Sequence, residues 1–156
     1  MKKVLIALDY DQMAIKIAEV GYLLASKMGA GVMLMHVITD PVYYSSTEYS
    51  PITGLSGFSN TVPWQMDNPD DLKNATKHYL DKIKQHLGDD TIETIVEDGD
   101  FAESILQTAK HTKADIIVMG SHSRKWLEDI LIGSVTEKVL RHTTIPLFII
   151  PTKKHN

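Results

Sequence analysis

The chain has 156 residues, no cysteine, and 16 Lys and Arg against 20 Asp and Glu, a formal net charge of −4. With 43% hydrophobic residues, that length suits one compact domain with a sizeable core, expected over residues 1–156 with residues 39–67 as a long inserted loop. Mild acidity excludes a general field for gathering nucleic acid or anionic lipid. The missing thiols exclude disulfide and thiolate chemistry.

In chain order, Val4 to Leu8 is an apolar run closed by Asp9. It is too short for a secretory core or a membrane span, so a soluble, cytoplasmic protein is expected. From Met13 to Met28 the apolar positions Met13, Ile17, Val20, Leu24 and Met28 step by three or four residues, the stripe of an amphipathic helix. A second strand-length run spans Val32 to Ile38; Met28, Met33 and Met35 fit flexible core filling. Thr39 to Asp67 shows no periodicity, and it holds Pro41, Pro51, Pro63, Gly54 and Gly57. It also carries Tyr43, Tyr44, Tyr49, Phe58 and Trp64, five of the eleven aromatic residues. Disordered linkers are poor in aromatics, so partial packing is expected, either over a sheet edge or helix or as a lid or partner surface.

Asn68-Pro69-Asp70-Asp71 has the features of a helix start: a capping side chain, proline at the first position and acids in the first turn. Leu72, Ala75, Tyr79, Ile83 and Leu87 form the following stripe, which Gly88 closes. After the run Ile92 to Val96, Asp100 and Glu103 offer a capping pair ahead of Ile105, Leu106 and Ala109. Ile116 to Met119 and Leu147 to Ile150 complete the strands. The first and the last two runs are continuous, as in strands covered on both faces of a parallel sheet. The alternation predicts a Rossmann-like α/β fold, an open five-stranded parallel sheet with helices on both faces. In such sheets ligands bind beyond the carboxyl ends of the strands, where strand order reverses. Asp9 ends the first strand and Gly120 the fourth, so the two meet if those strands are neighbours.

Two clusters stand out chemically. Gly120-Ser121-His122-Ser123 follows the fourth strand, and Gly133-Ser134-Val135-Thr136 opens the last helical pattern. A loop followed by a helix start exposes amides that suit phosphate. Gly133 removes a side chain where the backbone must come near, and Ser134, Val135 and Thr136 would turn their amides and two hydroxyls to the anion. No Gly-Lys-Ser/Thr follows, and Asp9-Tyr10-Asp11-Gln12 lacks G-x-G-x-x-G, which excludes a Walker loop and a dinucleotide fingerprint. Ser134-Val135-Thr136-Glu137 equally fits a capping box, so the residues alone leave a phosphate site and an ordinary helix start both open.

The neighbouring residues are less specific. Arg124 and Lys125 fit phosphate neutralisation or plain loop charge, and Trp126, Leu127, Ile130, Leu131 and Ile132 a short helix or a cover. His36, His78, His86, His111, His142 and His155 show no metal-ligand spacing, and no protein metal site is expected. Asp9 suits either magnesium arriving with ATP or a strand-end hydrogen bond to loop amides. No base is evident for phosphoryl transfer apart from Asp9 or His122, and Ser134 lacks a nucleophile elbow.

These residues resemble the universal stress protein family (UspA superfamily) along most of the chain. Its nucleotide motif G-x2-G-x9-G-S/T is matched by Gly120, Gly133 and Ser134 with spacing intact, while Ser123 stands at the second glycine. The opening strand Lys3 to Asp9 and the end of the second strand, Met35 to Ile38, also match. So do Glu97 to Ile105 and Ser134 to Leu147; residues 39–67 have no counterpart. The resemblance implies sheet order 3-2-1-4-5 and binding of ATP, AMP or another adenine nucleotide, with or without Mg2+. Asp9, after Ala7 and Leu8, would lie near the ribose or the metal, and Val37 would meet the adenine edge through its backbone. Met119, Gly120, His122 and Ser123 would line the ribose and phosphates, and Gly133, Ser134, Val135 and Thr136 would cradle the phosphates. Serine at position 123 weakens binding if positive φ or tight contact with a phosphate is needed there, and otherwise adds a donor. The resemblance further implies a ligand-gated stress regulator with an unidentified protein partner and a homodimer through Leu147 to Ile150, an apolar edge. The other classes are a nucleotide-free dimeric scaffold of the same fold and, at most, a slow ATPase.

Overall fold

The computed structural model describes residues 1–39, 69–121 and 132–152. The aromatic segment from Tyr43 to Trp64, the Asn68 cap, and residues from His122 and Ser123 to Leu131 lie outside them. Strands β1 (Lys3–Ala7), β2 (Gly31–Ile38), β3 (Glu93–Asp98), β4 (Ile116–Gly120) and β5 (Leu147–Ile150) alternate with helices. The helices are α1 (Ala14–Met28), α2 (Pro69–Leu87), α3 (Phe101–Thr112) and α4 (Ser134–His142). The strands form one parallel sheet in the order β3-β2-β1-β4-β5.

The two-residue period of each strand divides the core. Val4, Ile6, Leu34 and Val118 face α1 and α2, while Leu5, Met35, Ile117 and Met119 face α3 and α4. Complete burial of such a side chain is worth about 2 kcal/mol. β5 departs from the expectation of a strand covered on both faces: it is an edge strand, and Phe148 is 40% exposed. Continuity of apolar residues there belongs to the outermost strand of the sheet.

Helix α1 also departs from its expected stripe. Its buried face is Ala14, Ile17, Ala18, Gly21 and Ala25, and the larger Met13, Val20, Leu24 and Met28 pack around it half-buried. Small residues allow a close approach: a Cβ on Gly21 would stand 2.7 Å from Ile6 Cδ1 and 3.2 Å from Val118 Cγ1. In α2 the expected stripe gains Thr76 and Leu80, both fully buried, and Gly88 closes it at φ 70°. Asp100 caps α3 as expected, its carboxylate accepting the Glu103 amide at 2.9 Å.

Lys113 ends α3 at φ 57°, a left-handed position, with its amide donating to the Ala109 and Lys110 carbonyls. A Cβ there is strained by roughly 1–2 kcal/mol, and glycine is the usual residue. Lys113→Gly therefore stabilises the fold by about 0.5–1 kcal/mol once glycine's unfolded-state entropy is subtracted. An unchanged or lower urea midpoint would show that the strain is not there.

Candidate functional site

Strands β1 and β4 are neighbours, yet the helices that follow them pack on opposite faces, α1 with the β1 residues Val4 and Ile6 and α4 with Leu5. The two helices diverge and leave a cleft over the carboxyl ends of β1, β2 and β4. This is the position where doubly wound sheets hold ligands. Of the residues expected at a site, Ala7, Leu8, Asp9, Val37, Met119, Gly120, Gly133, Val135 and Thr136 line the cleft. Ser134 is exposed at the first position of α4 and is not part of the cleft wall. His122 and Ser123 lie outside the described residues.

The opening of α4 supplies the donors. Gly133 is the residue before the helix, with extended φ −67° and ψ 158° and no side-chain cap. The expected capping box from Ser134 to Glu137 is not formed: the helix starts one residue earlier, Ser134 is already helical, and Glu137 donates its amide to the Gly133 carbonyl at 2.9 Å. The amides of Ser134, Val135 and Thr136 precede the first intrahelical bond, and no hydrogen bond to them is made among the described residues. The Thr136 hydroxyl is committed elsewhere, donating to the Gly120 carbonyl at 2.9 Å. Thr136 therefore brings its amide to the helix opening while its hydroxyl fastens α4 to β4.

Gly120 owes its identity to crowding. A Cβ on it would stand 2.5 Å from Ile17 Cδ1 and 2.9 Å from Thr152 Cγ2, so glycine lets α1 and the chain after β5 close over β4. On the other wall, the Ile38 carbonyl accepts the Gly99 amide on the β3 side. Alternation then turns the N–H and C=O of Val37 toward β1, past the Leu8 amide to Met35 carbonyl bond at 2.8 Å that ends that ladder. The backbone of Val37 thus faces the cleft.

The turn carrying Asp9 is held from below. Asp9 accepts the Tyr10 amide at 2.9 Å, and Asp11 accepts the Met13 amide at 3.0 Å. The Tyr79 hydroxyl of α2 donates to the Asp9 carbonyl at 3.0 Å. His36 Nδ1 lies 2.8 Å from the Leu8 carbonyl, which can only accept, so Nδ1 carries the proton. The Tyr10 ring lies between, 4.3 Å from His36 and 4.8 Å from Tyr79. Its hydroxyl bonds Thr76, whose own proton goes to the Leu72 carbonyl at 2.8 Å. Burial pushes the Tyr79 phenol well above its ordinary value, with the Tyr10, Asp9 and Asp11 charges adding to it. Asp11, Met35, Phe101 and Ile105 also line the cleft and were not among the expected residues. Asp11 was legible as the second acid after β1; the apolar wall carried no motif.

The fold and cleft define an open α/β domain with its binding position at the strand-order reversal. The profile of the universal stress protein family (Usp) matches residues 1–151, and the chain belongs to that family. Universal stress protein MJ0577 of Methanocaldococcus jannaschii is 30% identical over 125 residues, 78% of this chain and 77% of the relative. The solved structure of MJ0577 has a TM-score of 0.73 at 27% identity, covering 99% of this chain and 98% of that one. Universal stress protein YxiE of Bacillus subtilis is 29% identical over 95% of this chain and 97% of its own. Two solved proteins of the family share the fold at a TM-score of 0.62, one in complex with cAMP (18% identity, 97% and 98% coverage) and one from Archaeoglobus fulgidus with dAMP (16%, 96% and 98%).

His36 gives the site support a pH signature. Burial lowers its pKa from 6.5 to about 4 against the raising effect of its bond to Leu8. The unfolded chain thus takes up a proton between these values and the folded one does not, so stability is complete above pH 6.5 and declines as pH falls toward 4. The expected loss is about 3 kcal/mol. His36→Asn, which keeps a donor near Leu8, flattens urea-unfolding free energy against pH in that window; an unchanged slope would refute the assignment.

Proposed function

We propose that this protein binds an adenine nucleotide, with ATP as the principal ligand, and acts as a ligand-gated regulator in stress physiology. The observation that carries the reading is the set of amides opening α4, at Ser134, Val135 and Thr136, set beside a cleft with an apolar wall and the Val37 backbone on its far side. Amides at a helix start attract phosphate through their dipoles without net positive charge, which suits a chain of net charge −4. The relatives in complex with cAMP and dAMP support an adenylate as the ligand class. In this reading Val37 meets the base, Asp9 the ribose or the metal, and Met119, Gly120, Gly133 and α4 the ribose and phosphates, with His122 and Ser123 between them in the chain. Among the described residues no group of three His, Cys, Asp or Glu is arranged for a metal. Magnesium therefore arrives with ATP, for which one carboxylate such as Asp9 and the phosphates suffice. Gating requires that nucleotide bind one conformation more tightly than another.

Ser134→Pro tests the cradle directly. Proline is favoured at the first helical position, and the extended Gly133 at ψ 158° is the conformation that precedes proline. The variant keeps the helix and deletes one amide. Calorimetry should show ATP affinity reduced roughly tenfold, about one hydrogen bond to a charged group, with adenosine affinity unchanged. Absence of heat and of thermal shift for wild-type protein with millimolar ATP, AMP and cAMP would end the nucleotide reading.

We further propose that β5 pairs with its copy in a homodimer. It is the outermost strand of the sheet among the described residues, and Phe148 on it and Leu140 on α4 are 40% and 47% exposed. Unpaired edges with apolar side chains favour strand addition. Phe148→Glu is expected to shift sedimentation from dimer to monomer, and a wild-type monomer at micromolar concentration would contradict the assembly.

A further inference from the structure

In a parallel ladder a residue's amide donates to the residue before its partner, and its carbonyl accepts from the residue after. Gly120 is opposite Ile150, so the next pair is Ser121 and Pro151. The Ser121 amide obeys the pattern, donating to the Ile150 carbonyl at 2.9 Å. Its carbonyl should then accept the Thr152 amide. Instead that amide donates to Ser121 Oγ at 3.0 Å, and the Ser121 carbonyl accepts the Gly133 amide at 2.6 Å.

We infer that Ser121 is a positioning residue for the phosphate cradle: its hydroxyl takes the ladder bond that its own carbonyl would make, releasing that carbonyl to fix Gly133 and the amides of α4. Both Ser121 and Thr152 are buried, where an unpaired amide is costly, so the Thr152 amide must have an acceptor. Without the Ser121 hydroxyl, the carbonyl is drawn back to Thr152 and Gly133 loses its anchor. The Thr152 hydroxyl, 3.2 Å from Ser121 Oγ, completes the pair but is not needed for the exchange.

The consequence for phosphate affinity rests on the nucleotide reading; the exchange of bonds does not, and the tests separate them. In wild-type protein, a scalar coupling across the hydrogen bond should link the Gly133 nitrogen to the Ser121 carbonyl carbon; a coupling from the Thr152 nitrogen to that carbon instead would overturn the inference without any variant. In Ser121→Ala the Gly133 amide should lose protection from hydrogen exchange while the Thr152 amide keeps it. Thr152→Val, which retains the Thr152 amide, should leave Gly133 protected, and Ser121→Thr should restore protection. If wild-type protein binds ATP, Ser121→Ala should weaken it roughly tenfold and leave adenosine affinity as it was. Equal losses for ATP and adenosine would mark a merely structural role, and full Gly133 protection in Ser121→Ala would refute the exchange.

Discussion

The cleft exists because two adjacent strands send their chains to opposite faces of one sheet. β1 and β4 are paired from Val4–Ile116 to Ile6–Val118, and beyond their ends α1 settles on one face and α4 on the other. Among the described residues, backbone at the ends of β1, β2 and β4 therefore lines a cleft. Everything chemical about the site follows from which groups the chain places on that rim.

Close packing fixes the rim. Gly21 lets α1 rest on Ile6 and Val118, and Gly120 lets Ile17 and Thr152 meet over the end of β4. Neither glycine has positive φ; each is needed for the missing Cβ. From β4, the Gly120 carbonyl then receives the Thr136 hydroxyl and the Ser121 carbonyl the Gly133 amide. Two successive carbonyls of one strand end thus anchor α4 to the sheet. The cradle's position is set by two sheet carbonyls, with the Thr136 hydroxyl and the Gly133 amide as their donors.

Much of this was legible in the sequence, for identifiable reasons. The five strands announced themselves because apolar runs of strand length recur between helical periods, and Asp100 because a cap has a fixed offset from its acceptor amide. The order of the sheet came from the family resemblance, since periodicity says nothing of which strands pair. The face of α1 was misread because hydropathy weights Val20 and Leu24 above Ala18 and Gly21, whereas contact with a flat sheet selects the small residues. The start of α4 was misplaced by one residue because Gly133 and Ser134 both suit a helix start, and dihedral angles alone distinguish them. Tyr10, His36 and Tyr79 were invisible as a group: they lie on three elements and meet only when α2 packs over β2 and the turn after β1.

That buried group shows how the fold holds an acidic turn beside the amides proposed to take an anion. Asp9 and Asp11 both line the cleft, and two carboxylates near phosphate would repel it unless a cation or their own hydrogen bonds absorbed the charge. The turn meets this by folding each carboxylate onto a backbone amide, Tyr10 for Asp9 and Met13 for Asp11. Tyr79 and His36 meanwhile hold its carbonyls at Asp9 and Leu8 with neutral donors. Neutrality matters here, because burial penalises a charged imidazolium at His36. The support is therefore dipolar on both walls of the cleft, amides at α4 and hydroxyl and imidazole under β1. Under the proposed nucleotide reading, donors of this kind are oriented before a polyanion enters, so little of the binding energy goes into turning them.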